Sequence, residues 1–359
     1  MSQSKKIFAA IIIACGLSVF FTFEFCKNKF KRELEIKTAE AIQQPTEEQC
    51  LGFNVHRLGG YQYVKPLLYI EKKEESSSLS HLKNSISELV EKYKKSGVLM
   101  SASVYLRVFS KGNWMCMNDT EMYLPGSLIK VAGLLAYLKM EEEHPGILNR
   151  RLSFESPKEF IPNQTFNSKQ IELGKSYTIR ELLKYMIAYS DNNATYLLNK
   201  NVDQKTFLSL FSDLGISLDG VANGNIKLNV KDYSVFLRVL YNATYINIEH
   251  SEFAAELLAQ CDFKEGMEKG LPINTKIAHK FGEMGDATTR QLHESGIIYN
   301  KNVPFLLTVM TKGYDIKKLP DVISAITKLT YDDVSTNPEF TENQNEVPIG
   351  SGTNQTHTK

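Results

Sequence analysis

Apolar residues recur at helical spacing at Leu82, Ile86, Leu89, Val90 and Tyr93, and Gly97 ends that run. Residues 100–109 are rich in β-formers, Lys111-Gly112-Asn113 supplies a hairpin turn, and residues 114–117 return as a second strand. The period then stays helical for a long stretch. Apolar positions 128, 131, 134, 135 and 138 predict one helix, and residues 179–188, 194–198, 206–211 and 233–240 predict four more, joined by polar loops. Three β-type runs follow at 276–281, 296–299 and 303–310, and Asp315 and Lys317 open a last helix towards Leu329. Strands first, helices in the middle and strands last predict an α+β fold. Its antiparallel sheet is built from both chain ends and flanked by helices, with an all-helical lobe inserted between them. The junction of two such lobes is a usual place for a cleft.

The two ends read differently. Residues 7–23 are uncharged and mostly apolar, with Lys5 and Lys6 before them and Lys27, Lys29, Lys31 and Arg32 after. As a helix this run is just long enough to cross a bilayer core. An uncleaved anchor is the preferred reading of residues 1–26, because Glu24-Phe25-Cys26-Lys27 lacks a small-x-small cleavage site. A cleaved signal, or a lipoprotein acylated at Cys15 after Ile12-Ile13-Ala14, stays open. The basic residues after the span favour keeping that side cytoplasmic, although large domains cross despite such charge. An extracytoplasmic domain is the expectation. Residues 27–81 read as stalk and docking segment, with docking at 64–68 and a polar linker at 71–80. Residues 332–359, rich in Asn, Thr, Glu, Gly and Ser, read as a disordered tail. The domain proper is 82–331.

Composition narrows the class of protein. At 42% hydrophobic and 23% charged residues the 359-residue chain has the make-up of a folding protein. A balance of 42 Lys+Arg against 41 Asp+Glu gives no global field for a phosphate backbone, so a nucleic-acid partner is not expected. The cysteines at 15, 26, 50, 116 and 261 form no CxxC pair and the seven histidines no HExxH, so neither a metal nor another cofactor is expected. Cys116 and Cys261 could pair in an oxidising compartment, and the state of Cys50 is open.

The sharpest local feature is Pro125-Gly126-Ser127-Leu128-Ile129-Lys130 at the start of an apolar helix. A Ser and a Lys three apart share a helix face, and a desolvated, neutral Lys could take the serine proton. The helix N-terminus would add N–H groups beside a developing oxyanion. Alone, the pattern reads equally as a helix cap, since Ser2 to Lys5 and Ser80 to Lys83 share it. Further on come Ser190-Asp191-Asn192, between two amphipathic helices, and His279-Lys280-Phe281-Gly282-Glu283, on a predicted strand. Alone, the first is a polar turn and helix cap, and the second an edge strand carrying a Lys.

Together and in this order, the three resemble the S-x-x-K, S-D-N and K-T-G elements of class A β-lactamases and penicillin-binding proteins. The resemblance runs through roughly residues 82–330 and extends to Ser103-Val104-Tyr105, Gly270-Leu271-Pro272, Ser295-Gly296-Ile297-Ile298-Tyr299 and Leu307-Thr308-Val309-Met310-Thr311. It implies a serine hydrolase in which Ser127 is acylated, Lys130 is its base and Ser190 relays a proton to the leaving nitrogen. It further implies that Asn192 binds the substrate amide and that Lys280, beside Gly282, stabilises both the substrate carboxylate and the relay serine, with backbone N–H groups of Ser127 and Glu283 as the oxyanion hole. The substrate would be a small molecule or peptide, of β-lactam or peptidoglycan type; oligomeric state is left open.

Two departures qualify the resemblance. Phe281 stands where the family carries a hydroxyl, and no Glu occurs between Glu181 and Glu249, where class A enzymes carry the deacylating general base in E-x-x-L-N. Asn225-Ile226-Lys227-Leu228-Asn229 falls at a comparable separation with Asn at the Glu position, while Asn229-Val230-Lys231-Asp232 also reads as a helix cap. Unless Asp219 or Asp232 takes the place of that base, slow deacylation is therefore expected. The competing expectation, from the same departures, is a catalytically silent protein that binds cell-wall peptides or a protein partner. His279 and His293 lie on the site strands, either as substrate contacts or as packed strand residues.

Overall fold

The computed structural model describes residues 48–50, 52–155, 165–166, 168–217, 226–286, 288–300 and 303–341. The apolar run 7–23, the candidate loop positions Asp219 and Asn225, and the tail from 342 lie outside the described residues.

Three strands come first, β1 (Glu48–Cys50), β2 (Phe53–Arg57) and β3 (Leu67–Lys72), paired antiparallel in that order. Helix α1 (Ser80–Lys95) leads into the hairpin β4 (Leu99–Val108) and β5 (Asn113–Met117). A 3-10 turn, Gly126–Ile129, runs straight into α2 (Lys130–Glu143). The short pair β6 (Arg151–Ser153) and β7 (Ser176–Thr178) precedes α3 (Ile179–Ala188), α4 (Asn192–Asn201), α5 (Gln204–Asp213), α6 (Val230–Tyr241), α7 (Ile248–Leu258) and α8 (Met267–Gly270). The chain closes with β8 (Lys276–Gly285), β9 (Arg290–Tyr299), β10 (Phe305–Gly313), α9 (Leu319–Thr336) and α10 (Pro338–Thr341).

The main sheet has the order β5-β4-β10-β9-β8, antiparallel throughout, so the first and last thirds of the domain meet at the β4–β10 pairing. Period-two alternation assigns its two faces. Val104, Leu106, Leu307 and Val309 pack with Leu82, Ile86 and Ile323 of α1 and α9, whereas Tyr105, Leu306 and Met310 face the core of the helical lobe. From Lys130 to Leu138 helix α2 is buried on nearly every side, which makes it the lobe's central element. The α+β expectation describes this arrangement.

Differences from the sequence reading have local causes. Part of the expected stalk is folded: Leu68 of β3 is fully buried, and Glu71 accepts from Arg238 Nη1 at 2.8 Å and pairs with Lys231 at 3.1 Å. The expected tail is helical through Thr341 except at Asn337, because α9 buries Val334 and α10 buries Phe340. Helix α7, absent from the pattern above, is opened by the Asn247 side chain accepting from the His250 N–H at 2.8 Å. Cys116 and Cys261 are buried free thiols and do not pair.

His279 and His293 are packed strand residues. His293 contacts the Leu124 carbonyl through Nε2 at 3.1 Å and accepts from the Thr311 N–H at 3.2 Å. His279 Nδ1 lies 2.6 Å from Glu294 Oε1, and Glu294 Oε2 accepts from the Met267 N–H at 2.9 Å. Burial works against a charged imidazole, but Cys261 and Glu294 outweigh it and push the His279 pKa up to about 10. Glu294→Ala would strip the partner from a buried charge, and a loss of about 3 to 5 kcal/mol is expected in urea unfolding; a loss below about 1 kcal/mol would sink the buried-pair description.

Candidate functional site

The site forms where the N-terminus of α2, the α3–α4 turn and the edge strand β8 converge. Gly126 opens the 3-10 turn with φ +53°, a conformation that glycine adopts without strain, and Ser127 follows it, buried at 5% exposure. One turn on, Lys130 occupies the first position of α2 with only 4% exposure. A buried lysine needs partners. Its side-chain nitrogen donates to the Ser190 carbonyl at 2.6 Å and to Asn192 Oδ1 at 2.8 Å, and lies 3.3 Å from Ser190 Oγ.

Ser190 reaches that nitrogen because the chain turns sharply after α3. Ser190 has φ +55°, and Asp191 caps α4 by accepting from the Asn193 N–H at 2.8 Å. The second oxygen of Asp191 accepts from the Ile171 N–H at 2.8 Å, pinning the turn to the loop before β7. Asp191 is fully buried, and burial raises its pKa against the hydrogen bonds that favour its charge. The polar turn and helix cap expected here are present, with Asp191 as the capping residue.

Lys280 enters from β8. Its nitrogen donates to Ser190 Oγ at 3.0 Å, so the two lysines flank one hydroxyl. Gly282 lets β8 approach the Ser127 turn: an added Cβ would collide with the Pro125 carbonyl oxygen and lie 2.7 Å from the Leu128 nitrogen and 3.0 Å from the Ser127 nitrogen. Glu283 comes next on the strand, half-buried. All seven candidate residues, Ser127, Lys130, Ser190, Asn192, Lys280, Gly282 and Glu283, thus lie on these three converging elements.

Burial and the neighbouring Lys280 charge hold the Lys130 pKa well below the usual lysine range, against Asp191 and Glu283. Burial also lowers Lys280, to about 8. The lowered Lys130 favours an amine with a free lone pair, and Lys280 is an ammonium below about pH 8, on either side of Ser190.

The Phe281 ring lies over Lys280 and belongs to a cluster of three aromatic residues that no pattern in the sequence brings together. Phe281 stacks on Phe263 at 4.5 Å between centroids, and Phe166 stands edge-on to both, at 5.0 Å and 6.3 Å. No group of three or more His, Cys, Asp or Glu placed to hold a metal ion occurs among the described residues. Asp232, considered as a substitute general base, instead donates its N–H to Asn229 Oδ1 at 2.8 Å in the cap of α6.

Residues 81–334 match the pattern of the Beta-lactamase enzyme family. Solved structures with the same fold include PBP-A, 19% identical with a TM-score of 0.61 over 73% of this chain and 98% of that one. A β-lactamase from Chitinophaga pinensis is 17% identical with a TM-score of 0.62, covering 70% of this chain and 99% of that one. The class A β-lactamase of Mycobacterium abscessus is 18% identical with a TM-score of 0.59, covering 71% and 99%. Comparison with curated proteins yields no matching relative.

Proposed function

The chain belongs to the β-lactamase enzyme family, a family of serine hydrolases, and from that premise we propose that it forms an acyl-enzyme at Ser127 on an amide or ester of β-lactam or peptidoglycan type. The observation that carries the reading is Lys130: a lysine 4% exposed, one turn from Ser127, hydrogen-bonded to both Ser190 and Asn192.

The steps follow from proton positions. Neutral Lys130 donates its two N–H groups to the Ser190 carbonyl and Asn192 Oδ1, and its lone pair takes the Ser127 hydroxyl proton as Oγ attacks the carbonyl carbon. The oxyanion would be met by two backbone N–H groups, that of Ser127 at the start of α2 and that of Glu283 on β8. Collapse breaks the bond to the leaving nitrogen or oxygen. The proton on Lys130 then passes through Ser190 Oγ, 3.3 Å away, to that leaving atom. Lys280, donating to Ser190 Oγ, keeps the hydroxyl oriented and makes it a better proton donor.

Deacylation needs an activated water. With no Glu between Glu181 and Glu249, the acyl-enzyme is expected to turn over slowly. The reading also includes export, with residues 7–23 as an anchor and the catalytic domain outside the cytoplasmic membrane. A mutant of PBP-A has been solved as an acyl-enzyme complex with penicillin G, which makes a penicillin a sensible first probe. A fluorescent penicillin is expected to label the protein and stay bound for many minutes, and Asn225→Glu is expected to shorten that lifetime. Rapid hydrolysis of nitrocefin by the unaltered protein would contradict slow deacylation.

A further inference from the structure

The leaving-group side of the cleft carries a charge pattern opposite to the one a carboxylate needs. Lys280 is the cation the family resemblance assigns to a substrate carboxylate, yet its nitrogen is already enclosed. It donates to Ser190 Oγ at 3.0 Å and to the Phe281 carbonyl at 2.9 Å, and the Phe281 ring lies over it with the centroid 4.1 Å away. Lys280 is fully buried. The ring cannot easily swing aside, because it is stacked on Phe263 and braced by the edge of Phe166.

Glu283 completes the pattern. It lies two residues beyond Phe281 on β8, and its charge acts on both Lys130 and Lys280. Oε1 accepts from the Phe166 N–H at 3.4 Å, while Oε2 is buried with no hydrogen-bond partner among the described residues. A buried carboxylate oxygen without a donor is costly, and a ligand that brings one relieves that cost. An arriving carboxylate would instead meet a like charge and leave Oε2 unsatisfied.

We propose that Glu283 and Phe281 restrict the Ser127 site to acyl donors whose leaving group ends in an N–H donor, a primary amide or an amine, in place of a free carboxylate. The proposal rests on the reading of Ser127 as the acylated nucleophile. It makes Glu283 a specificity-determining side chain, a role separate from that of its backbone N–H. The Oε2 atom accepts from the amide or ammonium of the leaving group. Phe281 supplies an apolar wall where the family's hydroxyl would receive a carboxylate.

The test uses the full chain and three N-acyl depsipeptide esters that differ only in the leaving group: lactate, lactamide and N-(2-aminoethyl)lactamide. Acylation kcat/KM is expected to be at least about tenfold higher for the two N–H-bearing esters than for the lactate, the size of one like-charge contact in a partly buried site. Glu283→Gln is expected to narrow that ratio about tenfold, and Glu283→Gln with Phe281→Thr to reverse it. Faster acylation by the lactate ester in the unaltered protein, or a ratio unmoved by Glu283→Gln, would overturn the proposal. Calorimetry of the Ser127→Ala protein with the same three esters separates it from the nucleophile reading. If no ester acylates the unaltered protein but Ser127→Ala binds the lactamide more tightly than the lactate, the specificity stands and the nucleophile reading falls. Binding of none, or tighter binding of the lactate, removes the specificity.

Discussion

Lys130→Met is expected to slow formation of the Ser127 adduct by roughly 10²- to 10⁴-fold, the usual contribution of a positioned general base. Methionine has nearly the same length and suits a site that is 4% exposed, so the fold should survive and the loss should fall on the rate. The variant leaves the Ser190 carbonyl and Asn192 Oδ1 without the donor they have now, a local cost that circular dichroism and thermal unfolding would report separately. The pH profile carries the distinguishing information. In the unaltered protein, acylation should rise with pH as Lys130 loses its proton, at a pH well below the usual lysine range. It should fall again as Lys280 deprotonates near pH 8. Lys130→Met should lose the rising limb and keep the falling one. A variant reacting within about threefold of the unaltered rate, or one that keeps both limbs, would remove Lys130 from the base role.

Gly282→Ala should be nearly as damaging, for a different reason. The added methyl meets backbone on every near side: the Pro125 carbonyl, the Leu128 nitrogen at 2.7 Å and the Ser127 nitrogen at 3.0 Å. Backbone cannot rotate away, so β8 must move from the Ser127 turn. Overpacking of this kind costs about 1 to 3 kcal/mol. The effect on acylation should be larger, about 10²-fold, because both proposed oxyanion donors and Lys280 ride on the displaced contact. Stability and rate are to be measured on the same preparation. Unchanged acylation in Gly282→Ala would mean that the β8 approach is not part of the site.

What the sequence made legible was local or ordered. The period-two and helical runs mark the main sheet and most of the lobe, and three motifs in sequence order single out Ser127, Lys130, Ser190, Asn192 and Lys280 as candidates. Contacts between segments without a shared pattern were not legible. Nothing in Glu71 announces a hydrogen bond to Arg238, 167 positions later. Phe166, Phe263 and Phe281 are ordinary core aromatics until the fold stacks them beside Lys280. Helix α7 was missed because its first turn, Ile248-Glu249-His250-Ser251, carries an exposed Ile and polar residues, leaving the cap at Asn247 as its only early signal.

Of the two tasks the resemblance implies for Lys280, the contact with the relay serine is present in the fold, at 3.0 Å from Ser190 Oγ, with the Phe281 ring over the nitrogen.

The central claim is that Ser127 becomes covalently acylated, and intact-mass spectrometry of the unaltered protein and Ser127→Ala tests it most directly. After incubation with a penicillin or a fluorophosphonate, the unaltered protein should gain the mass of one adduct, mapped to the peptide containing Ser127, and Ser127→Ala should gain none. An adduct of equal yield on Ser127→Ala, or no adduct on the unaltered protein with either probe, would contradict the account.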